Sequence, residues 1–315
     1  MIPLLLEGVL PVNKPVGYTS HDVVAKVRGI TRIRRIGHTG TLDPQVTGVL
    51  PLCIGRATRI VEYLQELPKE YEAVLTVGYS TDTEDATGRV LEQVEQAALT
   101  EEAVREALAA FVGAIQQIPP MYSAVKIEGK RLYELARQGE EIERQPREVE
   151  IYQIDILEMD LTLAHPQIRF RVKCSKGTYI RTLCADIGRK LGYPAVMSHL
   201  VRTATGFIGL SQCLELEEIA RLMGEGRLGE VMIAPDQAIS HMPALTVGPL
   251  EAERALKGQT LFLAAASESP VPAAGLLRLY APAPAMPKPG ESPAFLGIFR
   301  YDPARQLLKP EKVFN

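Results

Sequence analysis

The segment Ile168-Arg-Phe-Arg-Val-Lys-Cys174 is the feature that most constrains the fold. Ile168, Phe170, Val172 and Cys174 alternate with Arg169, Arg171 and Lys173. Successive side chains of a strand point to opposite faces, so this period of two makes a strand with one apolar and one wholly basic face. Such a strand belongs in an antiparallel sheet with an open side, because parallel sheets are covered on both faces. Tyr71, Ala73, Leu75, Val77 and Tyr79 repeat the alternation, and Val149–Leu157 reads as another strand. Helices fall between them at irregular intervals. Thr19 or Ser20 is placed to cap a helix carrying Val23, Val24, Val27 and Ile30 on one face. Ala57, Ile60, Val61, Leu64 and Leu67 mark a second, and Thr100 opens a third through Val104, Leu108 and Phe111. A short helix near Arg131–Gln138 is closed by Gly139, and one through Ile180, Leu183, Cys184, Ile187 and Leu191 is closed by Gly192. A further helix is expected near Leu216–Met223. The expected class is α+β, with a mixed, largely antiparallel central sheet flanked by helices.

The 315 residues exceed the ~100–200 of one ordinary domain. The pattern resets around Ser240–Pro243, which divides the chain into residues 1–240 and a small β-rich domain of residues 241–315. Phe295–Tyr301 and Leu308–Phe314 read as its closing strands. Leu263–Pro293, rich in Ala, Pro and Ser, reads as a loop or a partly disordered insertion.

Several function classes drop out. No apolar run approaches the ~20 residues of a membrane span, and Met1–Leu6 lacks the basic flank and cleavage site of a signal peptide. Cys53, Cys174, Cys184 and Cys213 contain no Cys-x-x-Cys pair, which argues against a zinc ribbon or a disulfide framework and suits the reducing cytoplasm. The five histidines lack metal-ligand spacing, and no dinucleotide or P-loop glycine motif is present. Neither a metal nor a cofactor is expected.

A net charge of −3 argues against nucleic acid only if the charge is evenly spread. It is not. Gly8–Arg59 holds eight Lys/Arg against Asp22 and Asp43, and His165–Arg202 holds eight against Asp186 alone. The strongly acidic stretch from Ile60 to Glu106 cancels both. Two basic stretches in a net-acidic chain read as a local footprint for a polyanion.

Asp43 lies in a Gly- and Thr-rich loop, Arg34-Arg-Ile-Gly-His-Thr-Gly-Thr-Leu-Asp-Pro-Gln-Val-Thr-Gly48. Asp-Pro and Gly are ordinary turn chemistry. A turn does not need Arg34, Arg35 and His38 nearby, whereas an aspartate among cations stays ionised and can act as a nucleophile. A second segment, Cys174-Ser-Lys-Gly-Thr-Tyr-Ile-Arg-Thr182, puts Lys176 just before a helix and Arg181 near its first turn. A helix N-terminus favours anions, so these cations either reach out to solvent or meet an anion, a phosphate or Asp43 itself.

Taken in order, the segments resemble the TruB family of tRNA pseudouridine synthases through most of residues 8–202. Gly8-Val-Leu-Pro-Val-Asn-Lys-Pro-Val-Gly-Tyr-Thr-Ser20 is similar to the opening motif of that family, and Gly37-His-Thr-Gly-Thr-Leu-Asp-Pro44 with Gly48-Val-Leu-Pro51 to its catalytic motif. Lys69-Glu-Tyr71 with Thr81-Asp-Thr-Glu-Asp85 resembles the third. Pro119-Pro-Met-Tyr-Ser-Ala124, Lys126, Gly129 and Arg131-Leu-Tyr-Glu134 resemble an RNA-gripping insertion at about residues 115–150, and Cys174–Thr182 the last motif. The resemblance implies that Asp43 is the catalytic aspartate, Tyr71 the tyrosine that stacks on the target base, and Arg181 the arginine that pairs with the aspartate. It puts His38, Tyr179 and Leu200 at positions that contact the flipped nucleotide or fill the space it leaves. Leu200 is followed by Val201 and Arg202 where the family often carries two arginines. Phe295-Leu-Gly-Ile298 and Lys309-Pro310 resemble a PUA-type RNA-binding domain.

The implied reaction isomerises uridine 55 in the T-loop of tRNA to pseudouridine. It cuts N1–C1′, turns the base and forms C5–C1′, with no cofactor. The base must first be flipped out, at a cost of a few kcal/mol. Basic strips around Lys14–Arg35 and Arg169–Lys176 would supply phosphate contacts, with Lys14 and Lys176 as substrate-binding residues. Attack at C1′, attack at C6 and a glycal route all remain open. The expected partner is the T-arm and elbow of tRNA, met by a monomer without guide RNA. Three other readings stand beside this one: an RNA-remodelling module without chemistry, an Asp-nucleophile hydrolase, for which Asp43 lacks a second carboxylate, and a guide-RNA-dependent relative.

Overall fold

The computed structural model describes residues 6–123, 125–127, 129–140, 142–263, 274–282 and 293–315. The chain opens with β1 (Gly8–Lys14), α1 (Ser20–Thr31), β2 (Ile36–His38), β3 (Thr47–Ile54), α2 (Val61–Glu66) and β4 (Lys69–Val77). Next come β5 (Tyr79–Thr81), β6 (Val90–Gln93), α3 (Glu101–Ala109), β7 (Gly113–Gln117), β8 (Lys126–Ile127), β9 (Lys130–Arg131) and α4 (Leu132–Arg137). They are followed by β10 (Arg147–Asp160), β11 (Gln167–Cys174), α5 (Ile180–Leu191), β12 (Ala195–Thr205), β13 (Ile208–Gly209) and α6 (Leu216–Gly224). The last part holds α7 (Pro235–Ala238), β14 (Ala244–Thr246), α8 (Pro249–Leu256), β15 (Leu261–Phe262), β16 (Gly275–Tyr280), β17 (Phe295–Asp302) and β18 (Leu307–Val313).

The first sheet runs β1-β3-β12-β4-β11-β10-β7, with β2 on β3 and β13 on β12. Every pairing in it is antiparallel except β3 with β12. That parallel junction spans only Val201↔Thr47 and Arg202↔Gly48. The chain therefore opens into loops on both sides of it, and the loop bearing Asp43 enters there, between β2 and β3. The apolar face of β4, β10, β11 and β12 packs on α3 and α5 around Phe170, Leu75, Leu108 and Leu183. The β1–β3 end packs on α1 and α6 around Leu10, Leu52, Val27 and Ile219. Thr19 is the cap of α1: its side chain accepts from Asp22 N–H, and Asp22 accepts from Thr19 N–H in return.

The basic face of β11 is not free. Arg171 donates to Glu72 at 2.6 Å, and Arg169 lies 3.8 Å from Glu158. In register, Arg169 faces Glu158, Arg171 faces both Glu72 and Asp155, and Lys173 faces Glu70. Three cations thus stand among four acids, as opposite-charge cross-strand pairs. Within the expected phosphate-binding strip Arg169–Lys176, Arg169 and Arg171 are corrected to ion-paired residues of a sheet face, with Lys173 in register with Glu70. The acids came from strands whose register the sequence alone does not show.

The second sheet runs β14-β16-β17-β18-β15 around Leu245, Leu277, Leu279 and Phe299. It leans on the first: Ile298 and Phe314 share a cluster with Val9, Val49 and Ile60, and Lys312 pairs with Glu62 at 2.8 Å. β16 lies in the middle of the stretch expected to be a loop, Leu263–Pro293. Its inward Leu277 and Leu279 alternate properly, but the Ala/Pro composition around them hid the period. Residues 264–273 and 283–292 of that stretch lie outside the described residues. Tyr79 also moves: Gly78, at φ +126°, ends β4 before it.

The β3–β12 junction leaves no room for a side chain at Gly48. Its φ is +106°, and a Cβ there would lie 2.2 Å from the Arg202 carbonyl oxygen. Gly177 has φ +80° but nothing within 4 Å. Gly48→Ala should therefore cost about 2–5 kcal/mol of stability through backbone strain and overpacking. Gly177→Ala should cost about 1–2 kcal/mol, from its left-handed backbone alone. Urea unfolding measures both, and equal losses would contradict this account of the junction.

Candidate active site

Asp43 is delivered by a loop tied down on two sides. Leu42 N–H donates to Ser20 Oγ at 2.9 Å, and Gly17 N–H to the Pro44 carbonyl at 2.8 Å. Beneath the loop, Lys14 Nζ donates to the carbonyls of Pro15 at 3.0 Å, Pro44 at 3.1 Å, and Tyr18. Lys14 is fully buried, and desolvation pulls its pKa down to about 8 against the opposing pull of Asp43. An ammonium so enclosed cannot meet a phosphate. Lys14 is corrected from a substrate contact to a brace under the Asp43 loop. Sequence proximity had suggested a surface strip, but β1, although the end strand of its sheet, is buried along its length, with Ile233 and Leu214 bridged to it.

Arg181 stands in the first turn of α5. The cap residue Tyr179 has no side-chain cap, and the first turn contains no acid. Gln117 takes over: its Oε1 accepts from Tyr179 N–H at 2.7 Å and its Nε2 donates to the Tyr179 carbonyl at 3.0 Å. The Arg181 guanidinium is buried and uses every side. Its Nε lies 3.1 Å from Asp43 Oδ2, Nη1 donates to the Thr83 carbonyl at 3.0 Å, and Nη2 to the Tyr122 carbonyl at 2.8 Å. Between the anions open at the sequence level, the partner is Asp43. Arg34 and Arg35 are not its cations. Arg35 Nε donates to Thr58 Oγ1 at 2.6 Å, and Arg34 is exposed. The charges that act on Asp43 are Arg181 and Lys14.

A cavity of about 330 Å³ opens above this pair. Asp43, Tyr71, Tyr179, Arg181, Leu200 and Lys176 all line it, so six of the eight residues singled out from the sequence meet in one place. His38 is set back from the cavity: its Nδ1 accepts from Gly40 N–H at 3.4 Å, and burial holds its pKa below the ordinary value. Lys176 sits at the rim, 2.6 Å from Glu66. Tyr71 lies on the core face of β4 with Ala73 and Leu75, and burial pushes its hydroxyl pKa up while Arg202 opposes this.

Two lining residues escaped the sequence reading. Arg202 is 1% exposed; its Nε donates to the Val49 carbonyl at 2.6 Å, and its Nη2 has no partner among the described residues. Lys69 donates to the carbonyls of Leu67, at 2.7 Å, and Gln65, and burial pulls its pKa down to about 8. The signal was available in the period of two: Arg202 follows Leu200, and Lys69 precedes Tyr71, on the same strand face. Asp43 is the one carboxylate lining the cavity among the described residues, set against buried Lys69, Arg181 and Arg202. Such a site can present a carboxylate as a nucleophile, stack a planar ring on Tyr71, and stabilise negative charge as it develops. Among the described residues no group of three or more His, Cys, Asp or Glu is placed to hold a metal, and no helix is long and apolar enough to cross a membrane.

The family profile for the N-terminal domain of TruB family pseudouridylate synthase matches residues 28–180, and that for the tRNA pseudouridylate synthase B C-terminal domain matches residues 181–239. The proteins named tRNA pseudouridine synthase B from Bacillus pumilus (strain SAFR-032) and Bacillus anthracis are each 49% identical over 259 residues. The first match covers 82% of this chain and 84% of the relative, the second 81% and 84%. Among solved structures, a chain of a Cbf5-Nop10-Gar1 complex superposes with a TM-score of 0.73 at 26% identity, over 98% of this chain and 85% of that one. A chain of an H/ACA RNP bound to a substrate RNA containing 2′-deoxyuridine gives 0.71 at 24%, over 99% and 86%, and shares the fold. The chain belongs to the TruB family, and it is an enzyme that makes pseudouridine in tRNA.

Lys69 gives the site a pH signature. Its folded pKa of about 8 lies below the ~10.4 of an unfolded lysine. Between those values the unfolded chain holds a proton that the folded chain has shed, so unfolding free energy rises with pH. Wild type should gain about 1–2 kcal/mol relative to Lys69→Met between pH 7.5 and 9.5, measured by urea unfolding. A constant or falling difference would contradict the burial assigned to this ammonium.

Proposed function

We propose that this chain isomerises uridine 55 in the T-loop of tRNA to pseudouridine, with Asp43 as the nucleophile, after flipping the base into the cavity. The observation that carries the reading is the contact of Asp43 with buried Arg181 at 3.1 Å, beside Tyr71, in a cavity of about 330 Å³. Arg181 gives the carboxylate a fixed countercharge and holds it toward the cavity. Tyr71 offers a ring face for stacking and a hydroxyl for proton transfer. Tyr179 and Leu200 close on the flipped nucleotide from the other walls. When N1–C1′ breaks, the electron pair goes to the uracil, and the buried cations favour that charge. The turned base then bonds C1′ through C5, which releases Asp43 as the free carboxylate, and C5 loses its proton while N1 gains one. All of this is acid–base and nucleophilic chemistry that needs no cofactor.

Around the cavity, residues 115–150 act as an insertion that grips the RNA, and residues 241–315 as a PUA-like RNA-binding domain beyond the catalytic domain of residues 1–240. The chain works in the cytoplasm as a monomer on the T-arm and elbow, and without guide RNA. The 49% identical relatives, each named for a tRNA enzyme, support this over the guide-dependent alternative.

The test uses purified protein and an unmodified tRNA transcript, with pseudouridine mapped by carbodiimide-dependent primer-extension stops. A single new stop at the T-loop uridine, without added RNA, is expected. A stop elsewhere, or dependence on a second RNA, would sink the reading. In binding assays affinity should fall with salt, each phosphate contact adding roughly 0.7–0.9 to the log–log slope. Arg34 has no paired acid among the described residues, so Arg34→Ala should lower the slope by about one such contact. Arg169→Ala should leave it unchanged, because that side chain stands among acids.

A further inference from the structure

The β5–β6 turn contains a half-buried carboxylate that the chemistry above does not use. Glu84 adopts a left-handed φ of +62°, which costs about 1–2 kcal/mol for a residue with a Cβ. Three contacts hold the turn there, two of them made by Glu84 itself. Its Oε2 accepts from Thr182 Oγ1 at 2.6 Å, its carbonyl accepts from Met197 N–H at 3.1 Å, and Ala86 N–H donates to the Met197 carbonyl at 3.1 Å. The preceding residue, Thr83, gives its carbonyl to Arg181 Nη1 at 3.0 Å. Two successive residues of the turn therefore grip two successive residues of α5: Thr83 holds Arg181, and Glu84 holds Thr182.

A single hydrogen bond would let the first turn of α5 pivot. Two bonds to adjacent residues fix its rotation, and with it the direction in which Arg181 Nε points. The charge also matters. The first turn of α5 has no acid of its own yet carries Arg181, and a carboxylate there complements both the helix dipole and the guanidinium. Glu84 faces Arg181, Arg144 and Arg189, besides the Thr182 hydroxyl and the Cys184 thiol. Burial raises its pKa, while the Thr182 bond and the three arginines oppose that rise.

We propose that Glu84 is a positioning residue for the reaction: by clamping Thr182 it sets the orientation in which Arg181 meets Asp43. The inference rests on the assignment of Asp43 and Arg181 to the reaction. Glu84 forms no bond to substrate and lies outside the cavity lining.

The experiment measures single-turnover rate and tRNA affinity for Glu84→Gln, Thr182→Val, Thr182→Ser and the Glu84→Gln/Thr182→Val pair. Glu84→Gln keeps the volume and an acceptor oxygen but removes the charge. Each of Glu84→Gln and Thr182→Val should slow the single-turnover rate roughly 5–10-fold with affinity within about twofold, as for an interaction that acts only on the chemistry. The pair should be no slower than the worse single variant, because the two residues act through one contact. Thr182→Ser retains the hydroxyl and should restore the rate to within about twofold of wild type. Wild-type rates in both single variants, additive losses, or losses of affinity equal to those of rate would overturn the proposal. If Thr182→Val does not fold, Glu84→Gln and Thr182→Ser decide it alone. Asp43→Asn serves as the control. If it turns over like wild type, the site assignment fails. If it is inactive while Glu84→Gln is unimpaired, only the positioning role fails.

Discussion

A guanidinium buried at the start of a helix is held in the wrong electrostatic place, and the structure around Arg181 is built to keep it there. The N-terminal turn of α5 repels a cation, and burial removes the water that would screen it. Asp43 supplies the countercharge, and the carbonyls of Thr83 and Tyr122 take the remaining donors. These partners come from three separate segments: the β2–β3 loop, the β5–β6 turn and the segment that follows β7. The parts of the chain that converge on the cavity are thus linked through one side chain. Removing a partner leaves the buried guanidinium uncompensated, so the arrangement specifies its own geometry. Asp43 is partly open to the cavity, so its side of the pair is held less tightly and stays available to react.

The same constraint explains the distribution of charge. The chain is net acidic, yet Lys14, Lys69, Arg181 and Arg202 are buried around a single lining carboxylate. Backbone carbonyls hold the lysines, and one nitrogen of Arg202 is left without a partner among the described residues. Cations fixed in place before the reaction cost little reorganisation when negative charge appears on the base, which is where enzymes obtain much of their rate. The acids that balance the sum lie elsewhere, many of them on the open face of β4 and β10, where they neutralise β11.

Much of the frame was legible in local pattern. The alternation at Ile168–Cys174 made an antiparallel strand, Thr19 capped its helix, and Gly192 closed α5 in the left-handed conformation. Asp43 and Arg181 were legible as out-of-place charges, and the resemblance between motifs joined them. What stayed hidden depended on partners distant in sequence. Lys14 reads as a surface cation until β1 is seen to be buried under later segments of the chain. Arg34 and Arg35 are neighbours of Asp43 in the chain but turn away from it in space. Arg169 and Arg171 look free until register sets Glu158, Glu72 and Asp155 opposite them. Arg202 could have been found by carrying the period of two onward from Leu200. Its burial could not, because that follows from the short parallel contact with Gly48.

The central claim is that the Asp43 carboxylate performs the chemistry while other residues bind the RNA. Tritium release from tRNA carrying 5-³H-uridine tests it most directly, because C5 loses its hydrogen only when it becomes the glycosidic carbon. Purified Asp43→Asn should release no tritium above background while binding the same tRNA within about threefold of wild type, since phosphate contacts set affinity. Release by Asp43→Asn at a rate near that of wild type would contradict the account.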